Sequence, residues 1–230
     1  MEKKVILTGD GSKTIYLTEW NESYHSKHGA LNEAQHVFIN HGLAHFEKNE
    51  LVVFELGFGT GLNAILAYRF AVKNNVRINY VGIEAYPVSV EMLNALNYTN
   101  FLNVNENVIF TKMHEVEWER EVIFSDLFTF QKVRQKIEDF REEKGVFDVI
   151  FFDAFGPRTQ AHLWKPEILK KMIEMLRESG VLTTYCAQGQ FRRDLKSVGF
   201  TVTKLPGPPG KREMTNAFKL EQLSPEELHS

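Results

Sequence analysis

The sequence predicts an α/β protein with a doubly wound, mostly parallel sheet of seven strands, an antiparallel last strand and an N-terminal extension. The first observation is the segment 51–63, in which apolar residues run directly into a turn with glycine at every second position. Large and β-branched apolar side chains suit a strand that is covered on both faces. The second is that strand-like and helix-like segments alternate after it. Because only residues 207–212 separate the last two strand-like segments, those strands must be antiparallel neighbours.

The N-terminal part of the chain carries short elements ahead of the central strand. Residues 5–17 form two alternating runs around a Gly-Asp-Gly turn, which predicts a hairpin. Residues 31–46 have apolar residues at helical spacing and predict a helix. We expect residues 1–46 to pack on the core and cover its ligand site, residues 47–222 to form the main domain, and residues 223–230 to be a flexible tail.

The remaining elements follow from apolar spacing and from the positions of proline and glycine. Pro87 and Pro166 start two predicted helices, and Gly199 stops a third. The predicted strands are 51–56, 79–85, 146–155, 181–187, 200–205 and 213–220, with two further β-like runs inside 108–124. The predicted helices are 62–72, 88–97, 127–140, 165–177 and 191–198, and the highly charged residues 131–144 predict a solvated helix.

Length and composition are typical of a soluble globular protein. A chain of 230 residues with 43% hydrophobic and 25% charged residues allows one large domain, or one domain with an appendage. The net charge of −3 excludes a polycation, although residues 151–220 hold 12 basic against 6 acidic residues. That stretch fits a local phosphate-binding surface or, equally, solvated helix faces. The single cysteine, Cys186, forbids an internal disulfide, and we expect a cytoplasmic protein with no metal and no membrane segment.

The spacing of the glycines indicates the class of ligand. A dinucleotide-binding turn has the pattern G-x-G-x-x-G, whose third glycine would fall at the position of Leu62. The chain instead has Gly57, Gly59 and Gly61, preceded by Glu55. A carboxylate just before the turn disfavours a diphosphate and favours an ammonium or a sulfonium. This favours S-adenosylmethionine over NAD, and the alternative is an α/β turn that binds no ligand.

Two further carboxylates follow predicted strands. Glu84 ends the second strand, 23 residues after Gly61, where a carboxylate can accept both ribose hydroxyls of an adenosine. A helix cap or a plain surface acid is the alternative. Asp126 follows the third strand and could accept the exocyclic amine of an adenine, although capping of the helix predicted for 127–140 explains it equally well.

Asp153 ends the most strand-like segment after the first one. The topology places the tip of this strand beside the glycine turn. The loop 207–212 emerges at the same edge of the sheet, so Lys211 and Arg212 should overlook the site. Asp153 is therefore the candidate catalytic carboxylate, and a turn or capping role is the alternative.

Four segments in this order resemble one family. They are ELGFGTGLN (55–63), VGIEAYP (81–87), FDVIFFDAFGP (147–157) and KREM (211–214), and they are similar to the methyltransferase domain of the bacterial tRNA 5-methylaminomethyl-2-thiouridine biosynthesis enzymes. The resemblance covers residues 20–218 and implies a class I, Rossmann-like methyltransferase fold. Many members are fused to a flavin-dependent oxidase domain. This chain looks like the stand-alone form, with a separate flavin-dependent oxidase as a possible partner.

The resemblance implies tRNA and S-adenosylmethionine as ligands, and a role for each candidate residue. The methyl acceptor would be the 5-aminomethyl group of the wobble uridine, a primary amine with a pKa of roughly 10 that Asp153 would deprotonate or orient. Phe155 or Trp164 would stack the flipped-out base. The residues implied for the cofactor are Glu55, Gly57, Gly59, Gly61, Asn63, Glu84 and Asp126, with Tyr24 and Ser26 as a lid, and those implied for phosphates are Arg158, Lys165, Lys211 and Arg212.

Two other functions remain open at this point. The same fold could serve an N-methyltransferase or an aminopropyltransferase that acts on a small-molecule amine. It could also be a nucleotide-binding module without catalysis, against which the carboxylate at Asp153 argues.

Overall fold

Two sheets make up the β-structure of the protein, which the computed structural model describes over residues 2–141 and 144–220. The predicted tail 223–230 lies outside the described residues. The N-terminal sheet is antiparallel and contains β1 (Lys3–Leu7), β2 (Lys13–Leu17) and β3 (Glu22–Ser23). The central sheet contains β4 (Glu50–Leu56), β5 (Arg77–Ile83), β6 (Val122–Ser125), β7 (Phe128–Val133), β8 (Phe147–Phe152), β9 (Leu176–Thr184), β10 (Thr201–Pro206) and β11 (Glu213–Phe218).

The strand order of the central sheet is β10-β11-β9-β8-β4-β5-β7-β6. The five strands from β9 to β7 in this order pair in parallel, and β11 pairs antiparallel with both of its neighbours. The predicted doubly wound sheet with an antiparallel last strand is confirmed, with eight strands rather than seven. The direction of winding reverses between β4 and β8, and the crevice at such a switch point is where ligands bind in this class of fold.

Six α-helices accompany the sheets in the described part of the chain. The helix predicted for 31–46 begins as expected, but it continues as a π-helical turn (Gln35–Asn40) and ends in a short 3₁₀ turn (Leu43–His45) after Gly42. The helix predicted for 88–97 is shorter and spans Val90–Asn94, with Ser89 as its N-cap. The α-helices are α1 (Ala30–Ala34), α2 (Leu62–Asn74), α3 (Val90–Asn94), α4 (Val104–Glu115), α5 (Pro166–Met175) and α6 (Gly189–Ser197).

The segment between α3 and β8 differs most from the sequence prediction. The β-like run at 108–112 lies in the helix α4, whose first turn is stabilised by a capping box. Asn103 Oδ1 accepts from the Glu106 N–H at 2.9 Å, and Glu106 Oε2 accepts from the Asn103 N–H at 2.9 Å. The helices predicted for 127–140 and 131–144 are also wrong, since residues 128–133 form β7. Phe128 and Phe130 are buried in the core, as alternate residues of a strand. This burial has a larger effect on the local structure than the helix propensity of the charged residues that follow.

Hydrophobic side chains cover the central sheet on both faces. Phe151 of β8 packs with Val53 and with α2 residues on one face, whereas Ile150 and Phe152 belong to a second cluster with α5 and α6 on the other. This alternation is what a strand buried on both faces requires. Among the described residues, no helix is both long and apolar enough to cross a membrane.

Candidate active site

The glycine turn connects β4 to α2 at the carboxyl end of the central sheet. Gly57, Gly59 and Gly61 all have positive φ angles, of 96°, 50° and 74°. A Cβ atom at Gly57 would lie 2.6 Å from the carbonyl oxygen of Asp153, so the close approach of these two strand ends requires glycine. The N–H groups of Gly57 and Phe58 both donate to the carbonyl of Ile83 at 3.0 Å. The turn is thereby tied to the strand ends on either side of it.

Glu84 follows β5 directly, and its carboxylate binds the backbone of the glycine turn. Its Oε2 accepts from the Gly59 N–H at 3.0 Å, and its Oε1 accepts from the Tyr86 N–H at 2.8 Å. Both bonds fix the carboxylate at the wall of the cavity described below. This position agrees with the role predicted for Glu84 toward a ribose, which stays a prediction.

A chain of hydrogen bonds links four residues below the turn. The amide nitrogen of Asn63 donates to Glu55 Oε1 and to Asp153 Oδ2, both at 2.8 Å. The hydroxyl of Tyr80 donates to Glu55 Oε2 at 2.7 Å. Glu55 is fully buried, and it is not among the residues that line the cavity. It therefore reaches the ligand site through Asn63, rather than by the direct cofactor contact that the sequence suggested.

Burial sets the protonation of these carboxyl groups. It raises the pKa of Asp153 to about 7; the nearby charge of Glu33 also raises it, whereas the bond from Asn63 and the charge of Lys211 lower it. Burial, followed by the charge of Asp153, holds the pKa of Glu55 well above its usual range. A group of carboxyls that resists full ionisation is stabilised by an added positive charge. The site therefore favours a cationic ligand.

A cavity of about 840 Å³ opens at the carboxyl ends of β4, β5 and β8. Its volume falls within the range of roughly 300–1,000 Å³ that is usual for ligand sites. The cavity brings together most of the candidate residues that the sequence singled out, from five separate parts of the chain. These are Tyr24, Ser26, Gly57, Gly59, Asn63, Glu84, Asp153, Phe155 and Lys211.

The N-terminal segment forms one wall of the cavity. The ring of Tyr24 packs edge-on against Phe155, with 5.0 Å between centroids, and lies next to Gly59. Burial and the charge of Glu84 raise the pKa of Tyr24 to about 12, so its hydroxyl stays protonated. His25, from the same segment, lies 3.1 Å from the Thr14 hydroxyl through Nδ1, and burial lowers its pKa to about 4. A neutral, hydrogen-bonded histidine here anchors the segment.

An ion pair that the sequence analysis missed closes the cavity on the side of the last hairpin. Lys211 pairs with the buried carboxylate of Glu33, whose Oε1 also accepts from the Ser26 N–H at 2.8 Å. Lys211 Nζ lies 3.9 Å from the ring centroid of Tyr185. Lys211 is thus part of the cavity wall, where it pairs with a carboxylate, and its predicted contact to a phosphate stays a prediction. Glu33 sits in a short helix of unremarkable composition, so no motif marked it.

Asp126 lies far from this site. It precedes β7, and its carbonyl accepts from Arg77 Nε at 3.3 Å, at the start of β5. Because β5 and β7 are parallel, this is the amino end of the sheet, opposite to the glycine turn. The predicted contact to an adenine is wrong, because the strand before Asp126 is the antiparallel edge strand β6.

Trp164 is a core residue rather than a base-stacking one. It is 5% exposed, and its ring lies 4.9 Å from those of Phe152 and Phe191. Its Nε1 donates to the Phe155 carbonyl at 2.8 Å. The other predicted substrate contacts, Arg158, Lys165 and Arg212, are exposed and lie outside the cavity lining.

Gly61, which was predicted to contact the cofactor, also lies outside the cavity lining. It is the N-cap of α2 and lies behind the ring of Phe58.

The doubly wound sheet, the glycine turn and the carboxylate-rich cavity define a methyltransferase of the class that uses S-adenosylmethionine. Residues 93–220 match the family described as S-adenosyl-L-methionine-dependent methyltransferase, and since this is more than half of the chain, the protein belongs to that family. S-adenosylmethionine is its methyl donor. The residues of the cavity fit this cofactor, because the glycine turn and the carboxylates of Glu84 and Asp153, which suit a cation, line the same cavity.

Curated relatives with tRNA-modifying names align with most of the chain. The tRNA 5-methylaminomethyl-2-thiouridine biosynthesis bifunctional protein MnmC of Marinomonas sp. (strain MWYL1) is 28% identical over 213 residues, which is 86% of this chain and 31% of that protein. The protein of the same name from Cupriavidus metallidurans is 29% identical over 226 residues, 92% of this chain and 33% of that protein. The chain therefore spans about a third of the length of these relatives.

A solved structure shares the fold over nearly the whole chain. The crystal structure of MNMC2 from Aquifex aeolicus superposes with a TM-score of 0.77 and 21% sequence identity, covering 99% of this chain and 75% of that one. The similarity includes the antiparallel N-terminal part as well as the central sheet, since almost no described residue lies outside it.

Proposed function

We propose that the protein transfers a methyl group from S-adenosylmethionine to the 5-aminomethyl group of the wobble (2-thio)uridine in tRNA. The observation that carries the proposal is Asp153, a carboxylate at the cavity wall whose orientation is fixed by the Asn63 amide beside the glycine turn. The names of the MnmC relatives support the choice of tRNA, although these relatives are about three times as long as this chain.

The acceptor amine must lose a proton before it can react. Its pKa is roughly 10, as for lysine, so it arrives as an ammonium at neutral pH. Asp153, with its pKa raised to about 7, can accept a hydrogen bond from this ammonium and take up its proton. Glu33 and Glu84 add negative charge around the same cavity and favour entry of the cation.

S-adenosylmethionine supplies a methyl carbon made electrophilic by its cationic sulfur. The lone pair of the amine nitrogen forms the new C–N bond while the S–C bond breaks. The electron pair of the broken S–C bond stays on the sulfur. Placement of the nitrogen in line with that bond, at about 3 Å, supplies much of the rate. Asn63 contributes by holding the Asp153 carboxylate in one orientation toward the cavity.

The residues that line the cavity divide into two groups under this proposal. Gly57, Gly59, Asn63 and Glu84 hold the cofactor, and Tyr24 and Ser26 cover it.

A tRNA substrate implies action in the cytoplasm, and a separate flavin-dependent oxidase is the class of partner that would generate the free aminomethyl group.

One observation favours a second candidate, an N-methyltransferase or aminopropyltransferase that acts on a small-molecule amine. Five acidic residues line the cavity, whereas three of the four cations predicted for tRNA phosphates lie outside it. Such a lining suits a polyamine. The acidic residues are Glu22, Glu33, Glu84, Glu138 and Asp153.

The two candidates separate in one experiment. The protein is incubated with methyl-deuterated S-adenosylmethionine and bulk tRNA from a strain that lacks the modification, and the nucleosides are analysed by mass spectrometry. We expect the label on the wobble nucleoside. Label on an added polyamine, with none on tRNA, would establish the small-molecule N-methyltransferase instead.

Two variants test the assigned carboxylate in the same assay. Asp153→Asn should lose about a hundredfold or more of the activity and still bind the cofactor. Asp126→Asn, at the opposite edge of the sheet, is the matched control and should turn over like the wild type. Equal activity of all three proteins would remove Asp153 from its role.

A further inference from the structure

We propose that Trp20, in a turn of the N-terminal sheet, and Lys3, on a strand of that sheet, form the platform that receives the substrate nucleotide: Trp20 stacks on its base and Lys3 contacts its phosphate. The inference rests on the proposed function and deepens it. It assigns substrate recognition to the N-terminal sheet rather than to the basic C-terminal third of the chain.

Trp20 is an exposed aromatic residue at the cavity. It lies in the turn between β2 and β3, it is 43% exposed, and it lines the cavity. Its ring contacts Phe155 edge-on, with 5.8 Å between centroids, and Phe155 in turn contacts Tyr24. Phe155 is two residues from Asp153, so this aromatic row leads from the solvent to the carboxylate that would meet the acceptor amine.

Three other residues could compete for this role, and none fits as well. Phe155 is half-buried, with Trp20 and Tyr24 packed edge-on against its ring. Trp164 is buried under the site. Tyr86 is 67% exposed and lines the cavity, but its N–H donates to Glu84, so it lies at the end assigned to the cofactor ribose. Trp20 is therefore the exposed indole beside the acceptor end.

Lys3 supplies a positive charge on the same sheet. It pairs with Leu17 in the β1–β2 ladder, directly before the turn that carries Trp20, and it lines the cavity. Its neighbour Lys4 forms an ion pair with Glu2 at 3.3 Å, and Lys211 pairs with Glu33. Over residues 2–141 and 144–220, Lys3 has no such partner, which leaves its ammonium available to an anion.

The combination of an exposed ring and an unpaired cation suits a splayed nucleotide. Proteins read single-stranded RNA loops by stacking unpaired bases on aromatic side chains and by neutralising phosphates with lysine or arginine. The wobble base lies in such a loop. A small polyamine would need neither a stacking surface nor an added positive charge at the entrance.

Steady-state kinetics with tRNA test the platform, and each variant has a control on the same sheet. Trp20→Ala should raise the KM for tRNA about tenfold or more, Trp20→Phe should largely restore it, and the KM for S-adenosylmethionine should not change. Leu7→Ala, which removes another exposed apolar side chain of this sheet from outside the cavity, should match the wild type. Thermal melting checks that every variant is folded.

The salt dependence of the KM for tRNA tests the phosphate contact. Lys3→Gln should lower the slope of log KM against log salt by about one, whereas Lys4→Gln should leave that slope unchanged. If the wild type methylates tRNA and neither Trp20→Ala nor Lys3→Gln differs from its control, the platform is overturned while the proposed function stands.

A binding measurement tests the platform without catalysis. An anticodon stem-loop RNA is titrated into the protein while tryptophan fluorescence is followed. Quenching in the wild type that is lost in Trp20→Phe supports the platform, even if methyl transfer to tRNA fails. Absence of any difference between these two proteins contradicts it.

Discussion

The side-chain amide of Asn63 donates to the carboxylate of Asp153 at 2.8 Å, across 90 residues of sequence. The same nitrogen donates to Glu55 at 2.8 Å, so each of its two hydrogens is directed to a different carboxyl group. This arrangement fixes both the amide orientation and the position of Asp153 relative to the glycine turn. The position of the Asp153 carboxylate at the cavity therefore depends on the first turn of α2.

Asn63→Ala should destabilise the protein and lower its activity. It leaves two buried carboxyl oxygens without their donor, which costs about 1–3 kcal/mol. For a chain of this length we expect a fall in Tm of roughly 2–4 °C for each kcal/mol lost. Asn79→Ala, which removes a longer bond of 3.4 Å to the exposed Glu50, is the control in differential scanning calorimetry. Equal melting temperatures would show that the bridge is dispensable.

The stability difference between Asp153→Asn and the wild type should depend on pH. Burial and Glu33 raise the pKa of Asp153 from 3.8 to about 7, so the folded protein binds this proton more tightly than the unfolded chain. The stabilisation from Asp153 is complete below its unfolded pKa and is lost as the pH rises through about 7. Asparagine does not ionise, so the variant should gain stability relative to the wild type between about pH 5 and pH 8.

Urea unfolding at both pH values measures this difference. Subtracting the variant from the wild type removes the contribution of every group that titrates identically in the two proteins, leaving Asp153 and the charges that face it, Glu33, Lys211 and, through Asn63, Glu55. A difference in unfolding free energy that is constant across this range would place the Asp153 pKa in its ordinary position.

Gly57→Ala should abolish cofactor binding. Its φ is 96°, and the added Cβ would lie 2.6 Å from the Asp153 carbonyl oxygen. Gly145→Ala is a matched control, because Gly145 has a φ of 70° but no atom within 4 Å of the added carbon. The control should cost only the backbone strain of about 1–2 kcal/mol. Binding of S-adenosylmethionine to both variants by calorimetry separates steric from conformational effects, and retained binding by Gly57→Ala would refute the close approach.

The Glu33–Lys211 ion pair should couple the N-terminal segment to the last hairpin. Their side chains are 8% and 32% exposed, so removing one partner leaves a poorly hydrated charge. A double-mutant cycle with Glu33→Gln and Lys211→Met should give a coupling energy of about 1–3 kcal/mol in urea unfolding. The exposed pair of Lys144 and Glu174 should couple by less than about 1 kcal/mol. Similar values for both pairs would contradict a structural role for the first.

The sequence was sufficient for the elements whose pattern matches their burial. The strands β4, β5, β8 and β11 are continuous apolar or alternating runs, and they lie close to the predicted positions. The helix α4 was missed because Val108, Ile109 and Phe110 look like a strand, although the Asn103–Glu106 capping box was readable. The strand β7 was missed because the charges after it extended an apparent helix.

Side-chain direction explains what the sequence could not reveal about the site. Strand tips located Glu84 and Asp153, because parallel strands bring their carboxyl ends together. The same rule failed for Asp126, since it follows an antiparallel edge strand. The sequence located Lys211 and Trp164 in segments near the site, but it could not show the direction of their side chains. The fold shows that Lys211 pairs with Glu33 and that Trp164 is buried in the core.

The most direct test of the account is a calorimetric titration of the wild-type protein with S-adenosylmethionine and, separately, with NAD. The carboxylates around the glycine turn should favour the cationic sulfonium and disfavour a diphosphate, so we expect saturable binding of S-adenosylmethionine only. Binding of NAD, with no heat from S-adenosylmethionine, would contradict the account.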